Sequence, residues 1–275
     1  MATTTGAGID RPLPASAGAK PFAAVIDRWI YVIMAVLILT VVLVGFIPDS
    51  IMMLKRIEAG AESPIPPILH VHAVLMGSWI LLLLIQATLM ATGRRGHHMQ
   101  LGTIAAMLVP VIVVAGLVLV PVRHQQLHAD IAAAPPDVAV FLQSEIVPLA
   151  TNVMLAQIRI GIIFPLLVGV ALYLRRRDPE THKRLMILAT VSALPAATDR
   201  MTFLPTTLPD SPLTMDFYML MVALPMILWD LYRGRLIQRA YVVWLALVIP
   251  SAIAMNALWG TAWWQSVGPQ LVGTR

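Results

Sequence analysis

The stretch 145-EIVPLATNVMLAQIRIGIIFPLLVGVALYLRRRDPETHKRLMILATVSALPAATDRMTFL-204 decides the fold of this chain. It contains two apolar segments joined by a short basic turn at residues 175–184. An apolar helix of about 20 residues is long enough to cross the ~30 Å hydrocarbon core of a bilayer. Arg159 lies in the middle of the first segment, and a charge at such a depth is expensive in lipid and marks a functional-site candidate.

The composition of the whole chain agrees with a membrane protein. Of its 275 residues, 59% are hydrophobic and 12% are charged, whereas soluble domains carry about 25% charged residues. The chain has no cysteine, which excludes disulfides, iron–sulfur clusters, thiolate zinc sites and thiol catalysis. The sequence also lacks a Ser-His-Asp arrangement and a glycine-rich phosphate loop, so we do not expect an enzyme.

Hydropathy predicts an all-α integral membrane bundle of seven transmembrane helices. Lipid offers no partners to backbone groups, so each crossing must be helical. The predicted crossings are about 29–46, 68–91, 101–122, 146–174, 184–204, 215–231 and 240–259. A short surface helix is predicted near 49–58, and a polar segment at 123–144. A disordered tail (1–22) and a short outer tail (265–275) flank the predicted transmembrane domain (23–264).

The Lys and Arg residues are distributed unequally over the two sides of these crossings. With the N-terminus inside, 13 of the 19 basic residues fall on the cytoplasmic side, 4 outside and 2 within crossings. The positive-inside rule therefore predicts the N-terminus in and the C-terminus out. The chain becomes one leading helix followed by three hairpins with cytoplasmic tips. The lipid bilayer is the predicted partner, and nucleic acid is not.

Polar residues in and beside the fourth and fifth crossings form a predicted buried polar site. Its members are Glu145, Asn152, Gln157, Arg159, Asp199 and Arg200. Glu145, Asn152 and Arg159 are seven residues apart and share one face of a regular helix. A buried arginine needs a carboxylate or carbonyl partner. Asp199 is the predicted partner, with Glu145 or Asp216 as alternatives. Such a pair either serves a site or fixes the register of two helices.

Histidines at the helix ends suggest a metal or haem site. His70, His72 and His124 lie at the outer ends of the second and third crossings, and neutral imidazole binds haem iron and copper. Histidines that cap or border a helix at the membrane surface are the alternative interpretation. His98 and His182 lie at the cytoplasmic ends and are predicted as anchors or as ligands of a second haem.

Three functions remain open on these residues. The first is an outward-facing site that handles a metal (copper) or haem. The second is a small-molecule or ion permease in which Arg159, Asn152 and Gln157 bind an anion and prolines break helices near the midplane. The third is a non-catalytic membrane scaffold.

Three segments resemble a broad group of bacterial multi-pass membrane proteins without assigned function. These segments are His98-Met99-Gln100-Leu101-Gly102, His182-Lys183-Arg184-Leu185-Met186 and His70-Val71-His72-Ala73. Distant relatives with similar segments are associated with maturation of haem–copper oxidases. The resemblance implies a bacterial cytoplasmic membrane protein that supports respiratory enzymes through assembly or metal delivery at the outer membrane face, with a respiratory complex as partner. Haems at both faces, held by the outer and the cytoplasmic histidines, would instead permit electron transfer across the membrane.

Overall fold

The computed structural model describes residues 21–235 and 238–274, and every regular element in this part of the chain is helical. The helices are α1 Pro21–Glu58, α2 Pro67–Ala91, α3 Arg95–Ala133, α4 Pro136–Phe141, α5 Val147–Leu174, α6 Pro179–Val191, α7 Pro195–Thr198, α8 Leu213–Tyr232, α9 Arg239–Leu258 and α10 Ala262–Leu271. A π-helical segment, Leu142–Ile146, joins α4 to α5. The predicted all-α class is confirmed, while the predicted disordered tail falls almost entirely outside the described residues.

Within residues 21–235 and 238–274, six helical stretches are long and apolar enough to cross a membrane. They are Phe22–Glu58, Pro67–Ala91, Arg95–Ala133, Pro136–Leu174, Leu213–Tyr232 and Arg239–Leu258. Large apolar side chains on these helices are exposed; Val74, Met107 and Ile253, for example, are 68%, 67% and 65% exposed. Exposed apolar surface of this extent marks a contact surface rather than a face in water. The chain is therefore a multi-pass membrane protein whose outer surface contacts lipid.

Two of these helices are longer than the sequence indicated. α1 has 38 residues and α3 has 39, which at 1.5 Å per residue gives about 57 and 58 Å. α1 continues through Pro48 without a break, so the predicted end of the helix at residue 46 is wrong and the predicted short helix near 49–58 is the last part of α1. α3 continues through residues 123–133, which is the first half of the predicted polar segment. Hydropathy marks only the apolar part of a helix, because its polar extension looks like a loop.

The predicted fifth crossing is a broken helix. α6 has 13 residues and ends at Val191, and α7 begins at Pro195. A proline cannot donate to the carbonyl four residues earlier, and its ring clashes with that carbonyl. Here the carbonyl belongs to Val191, and it accepts from the Leu194 N–H at 3.0 Å instead. Ser192 closes the end of α6 by donating its hydroxyl to the Leu188 carbonyl at 2.8 Å. The other predicted helix-breaking prolines, including Pro165, lie inside continuous helices.

α6 occupies the centre of the bundle and packs against α1, α5, α8 and α9. Leu185, Leu188 and Ala189 are completely buried. α7 packs just as tightly on α1: a Cβ added at Gly45 would lie 2.3 Å from the Ala197 carbonyl oxygen. A helix that is buried on all sides needs neighbours around it, and here those neighbours are the long apolar helices.

The C-terminal residues form a helix where the sequence predicted a tail from residue 265. Trp264 on α10 is 4% exposed, and its ring N–H donates to the Thr151 carbonyl on α5 at 2.7 Å. Gly268 lies so close to Met154 and Thr151 that a Cβ there would be 3.0 Å from each. α10 therefore packs along the start of α5.

Candidate functional site

Arg159 is held inside the bundle by an acidic residue on α8. Its Nη1 lies 2.6 Å from Asp216 Oδ1, and the two side chains are 10% and 15% exposed. Nε of Arg159 donates to the Ser251 hydroxyl at 2.9 Å, and Nη2 donates to the Val248 carbonyl at 3.3 Å. The guanidinium thus joins α5 to α8 and α9. Within the described part of the chain, Arg159 is the one polar contact of the Asp216 carboxylate.

The predicted pairing of Arg159 with Asp199 is wrong, and the alternative partner Asp216 is the correct one. Asp199 follows α7, and its side chain is exposed. Its neighbour Arg200 is also outside the core and forms an ion pair with Asp49 of α1 at 3.0 Å. A depth count along the sequence does not tell which of two carboxylates at similar depth faces Arg159, and it selected the wrong one.

The predicted polar face of α5 does not form as a unit. Asn152 is buried, and its Oδ1 accepts hydrogen bonds from the Gly260 N–H at 3.0 Å and from Gln265 Nε2 at 2.8 Å. Glu145 is exposed because it lies in the π-helical segment, which shifts the helix register there. Gln157 is exposed as well, since two residues correspond to about 200° around an α-helix and turn it away from Arg159.

The structure does not bring the three outer histidines together. His70 is exposed, while the His72 ring lies against Gly116 of α3. His124 is eight residues beyond Gly116 on the same helix, which places it about 12 Å farther along the axis. Among residues 21–235 and 238–274, no cluster of three His, Cys, Asp or Glu side chains is arranged to hold a metal ion. The predicted His70–His72–His124 site therefore lacks the geometry of a single centre.

The most deeply buried ion pair joins Arg184 of α6 to Asp230 of α8. Nε and Nη2 of Arg184 donate to the two carboxylate oxygens of Asp230, each at 2.7 Å. The side chains are 1% and 4% exposed. Two parallel bonds of this kind form the strongest arginine–carboxylate geometry. Tyr241 of α9 also donates its hydroxyl to Asp230 Oδ2 at 2.6 Å.

A second carboxylate and a second arginine complete this buried cluster. Glu180 accepts from Arg184 Nη1 at 2.8 Å through its side chain and at 2.9 Å through its backbone carbonyl. Arg235 reaches Asp230 at 3.4 Å and Asp27 of α1 at 3.6 Å. The cluster therefore ties α1, α6, α8 and α9 together at one end of the bundle.

The sequence contained a signal for this cluster that our prediction missed. Asp230 lies at the cytoplasmic end of the predicted sixth crossing, one residue before its last residue. Arg184 opens the predicted fifth crossing at the same membrane side. Basic residues at hairpin tips are common, so the His182-Lys183-Arg184 segment by itself indicates only a cytoplasmic tip. Matching each charge at the end of a crossing with an opposite charge at equal depth identifies the pair.

The histidines near this end have different surroundings. Nδ1 of His182 lies 2.8 Å from the Ala171 carbonyl, which closes the α5–α6 hairpin. His98 is half-buried, and its Nδ1 has no hydrogen-bond partner within the described residues. Asp178 caps α6: its carboxylate accepts from the Thr181 N–H at 3.1 Å and from the Thr181 hydroxyl at 2.8 Å. These two bonds hold the pKa of Asp178 below its usual range.

Comparison with known proteins gives no match: no family model, no curated protein and no solved structure is similar to this chain.

Proposed function

We propose that the chain crosses a bacterial cytoplasmic membrane seven times, with the N-terminus inside. The seventh crossing in this proposal is the broken helix formed by α6 and α7, in addition to the six apolar stretches. Its central position supports this assignment, because α1, α5, α8 and α9 pack around α6 and every residue from Ile187 of this helix to Val191 is buried. The excess of basic residues on the N-terminal side supports the orientation.

Within this topology we propose that the protein is a permease for small anions. The observation that carries the proposal is the Arg159–Asp216 ion pair beside the helix break. The His182 ring contacts the Ala171 carbonyl in the antiparallel α5–α6 hairpin. Arg159 is twelve residues before Ala171 on α5, and Leu194, the last residue of the break, is twelve residues after His182. In an antiparallel hairpin these two residues therefore lie at the same level. In membrane transporters, the N-termini of discontinuous helices point at anionic substrate groups, and we propose that the buried Arg159 guanidinium adds a cation at the level of such a break.

The two ion pairs divide the bundle into two layers. Asp216 and Asp230 are fourteen residues apart on α8, which corresponds to about 21 Å along one helix face. We propose that the Arg184–Asp230 pair closes the cytoplasmic end while the Arg159–Asp216 pair closes the outer half. A small anion with a carboxylate-like group then replaces Asp216 on the Arg159 guanidinium, since Arg binds such groups through two parallel bonds.

The cavities of this conformation are consistent with a closed state. One surface opening is lined by residues 172–177 and another by Gln265, Ser266, Pro269, Gln270 and Thr274. Neither reaches the Arg159–Asp216 pair. Transport in this proposal requires a change in which one of the two ion pairs separates.

Osmotic swelling of proteoliposomes tests the proposal without knowledge of the substrate. Vesicles with the purified protein are placed in the potassium salts of formate, acetate, chloride, nitrate and phosphate, with valinomycin to carry the potassium. We expect swelling in at least one salt, and its loss in Arg159→Gln. Glu62→Gln is the matched control, because it removes the charge of an exposed partner of Arg56. No swelling in any salt with folded protein, or equal swelling in Arg159→Gln, would refute the permease.

A double variant separates this function from a purely structural ion pair. Arg159→Gln alone leaves Asp216 without its cation, whereas Arg159→Gln combined with Asp216→Asn removes both charges. The single variant is destabilised because it leaves an uncompensated buried charge, and the double variant removes that charge. We expect the double variant to regain thermal stability but not transport. A double variant that transports like the wild type would show that the pair only fixes the helices, as in a scaffold.

Handling of a metal or haem, in support of a respiratory complex, is a second candidate function. The observation that favours it is the buried His72 Nδ1 atom, which has no hydrogen-bond partner within the described residues. Protein expressed with haem and copper supplied should then show a Soret band or stoichiometric copper that is lost in His72→Ala. Absence of both signals in folded protein would remove this candidate.

A further inference from the structure

Two histidines near the end of α3 form a pair that the predicted sites do not use. His124 and His128 are one helical turn apart and therefore lie on the same face of α3. Their ring centroids are 6.1 Å apart with an angle of 56° between the ring planes. His124 is 5% exposed. The Nε2 atoms of both rings are buried, and neither has a hydrogen-bond partner in residues 21–235 and 238–274.

Two such atoms in one place need an explanation. A buried polar atom without a hydrogen bond loses its hydration and gains nothing in return, and buried polar side-chain atoms normally have a partner. An imidazole nitrogen with a free lone pair is also the commonest protein ligand for transition metals. Two histidines spaced four residues apart on one helix face are an established way to hold one metal ion.

The separation of the rings suits a shared ion. With a metal–nitrogen distance of about 2.0–2.1 Å, two imidazoles on one ion have ring centres about 4.5–6.5 Å apart. The observed 6.1 Å lies within this range. A small rotation about the side-chain bonds is then enough to direct both Nε2 atoms at the same point.

Polar contacts hold the opposite face of this part of α3. Gln126 is two residues from each histidine, about 200° around the helix, and it donates to the carbonyls of Ser63 and Pro64 at 3.3 and 3.1 Å. Asp130 accepts a hydrogen bond from the Ser63 hydroxyl. These contacts fix α3 against the segment before α2 and do not involve the two imidazoles, which remain available as metal ligands. Water that enters with the ion supplies the remaining ligands.

We propose that His124 and His128 bind one divalent transition-metal ion at the outer end of α3. Cu²⁺ should bind most tightly, because it heads the affinity order of first-row divalent metals for nitrogen ligands. The site differs from the predicted His70–His72–His124 centre, since it uses His128 and leaves His70 and His72 out. It is also independent of anion transport, because neither histidine contacts the Arg159–Asp216 pair.

Copper titration of the full-length protein in lipid nanodiscs, after removal of any affinity tag, tests the proposal. We expect one Cu²⁺ per chain, with an electron paramagnetic resonance spectrum that shows coupling to two nitrogens. Loss of one of two linked ligands should weaken binding about 100-fold in His124→Ala and in His128→Gln. His97→Ala is the matched control, because His97 is exposed at the opposite end of α3.

The design of the variants allows the copper titration either to support or to overturn the two-histidine site. The half-buried His128 is replaced by glutamine so that one variant keeps the size of the buried side chain, and helix content by circular dichroism confirms folding of each variant. Unchanged affinity in folded His128→Gln, or copper binding without nitrogen coupling, would overturn the two-histidine site. So would the absence of stoichiometric copper binding in the wild-type protein. Swelling of proteoliposomes should be the same in His128→Gln and wild type, whichever way the copper titration ends.

Discussion

Asp230→Asn removes the charge that neutralises Arg184 and keeps the shape of the side chain. Arg184 is 1% exposed, so its charge has no water to replace the lost carboxylate. Removal of one partner of a buried ion pair destabilises a protein by about 3–5 kcal/mol. Glu180 still accepts from Arg184, and the new amide oxygen can accept one further bond. We therefore expect the lower end, about 3 kcal/mol, which is about a hundredfold in the unfolding equilibrium.

Reversible unfolding of the purified protein in mixed detergent micelles, followed by tryptophan fluorescence, measures this loss. Glu62→Gln is the matched acid-to-amide control, because its partner Arg56 is 42% exposed and exposed pairs contribute less than about 1 kcal/mol. The double variant Arg184→Met with Asp230→Leu should recover most of the loss, since a whole buried pair is often replaceable by apolar residues. A loss in Asp230→Asn no larger than in Glu62→Gln would refute the buried charge as the reason.

Two further changes test the packing and the end of α6. Gly45→Ala should destabilise the protein by about 1–3 kcal/mol through overpacking against Ala197. The control Gly77→Ala has no atom within 4 Å of the new Cβ and should stabilise the protein by up to about 1 kcal/mol. Thermal unfolding of both variants measures the difference. Asp178→Ala should cost about 1 kcal/mol at neutral pH through the lost cap. Because the folded pKa of Asp178 is lowered by Thr181, this contribution is present above the unfolded pKa of about 4 and disappears as pH falls below it. If the wild-type protein remained more stable than Asp178→Ala at acid pH, the charge of Asp178 would not be the cause of the difference.

Hydropathy was sufficient to find the long apolar helices, because lipid leaves no other structure for an apolar run of that length. It was insufficient for their ends. The part of α1 beyond Pro48 carries polar and charged residues and was predicted as loop and surface helix, although the helix continues to Glu58. Whether a proline breaks a helix also depends on the neighbours that satisfy the freed carbonyl. The sequence alone therefore could not show that Pro195 lies at a helix break whereas Pro165 lies inside a continuous helix.

The candidate site shows the same limit. The unusual burial of Arg159 followed from its position alone, because a charge in an apolar run must point into the bundle. The partner of Arg159 did not follow from the sequence, since Asp199 and Asp216 have similar predicted depths on neighbouring segments and only the packed structure shows the ion pair with Asp216. The π-helical segment before α5 likewise has no sequence signature that we recognised, and it moves Glu145 off the face shared by Asn152 and Arg159. Pairing across helices requires their relative positions, which spacing within one helix does not contain.

The two residues of the Arg184–Asp230 ion pair are synthesised at different times. The two residues are 46 positions apart in the chain, so at about 5–20 residues per second a ribosome makes Asp230 about 2–9 s after Arg184. During this interval α8 has not been synthesised, and the Arg184 guanidinium has no contact with the Asp230 carboxylate. Glu180, one turn earlier on the same helix, is already present and bonds the same guanidinium. In the proposed seven-span arrangement, Glu180 is thus the first counter-ion during synthesis, and the arrival of α8 completes the insertion of the central helix.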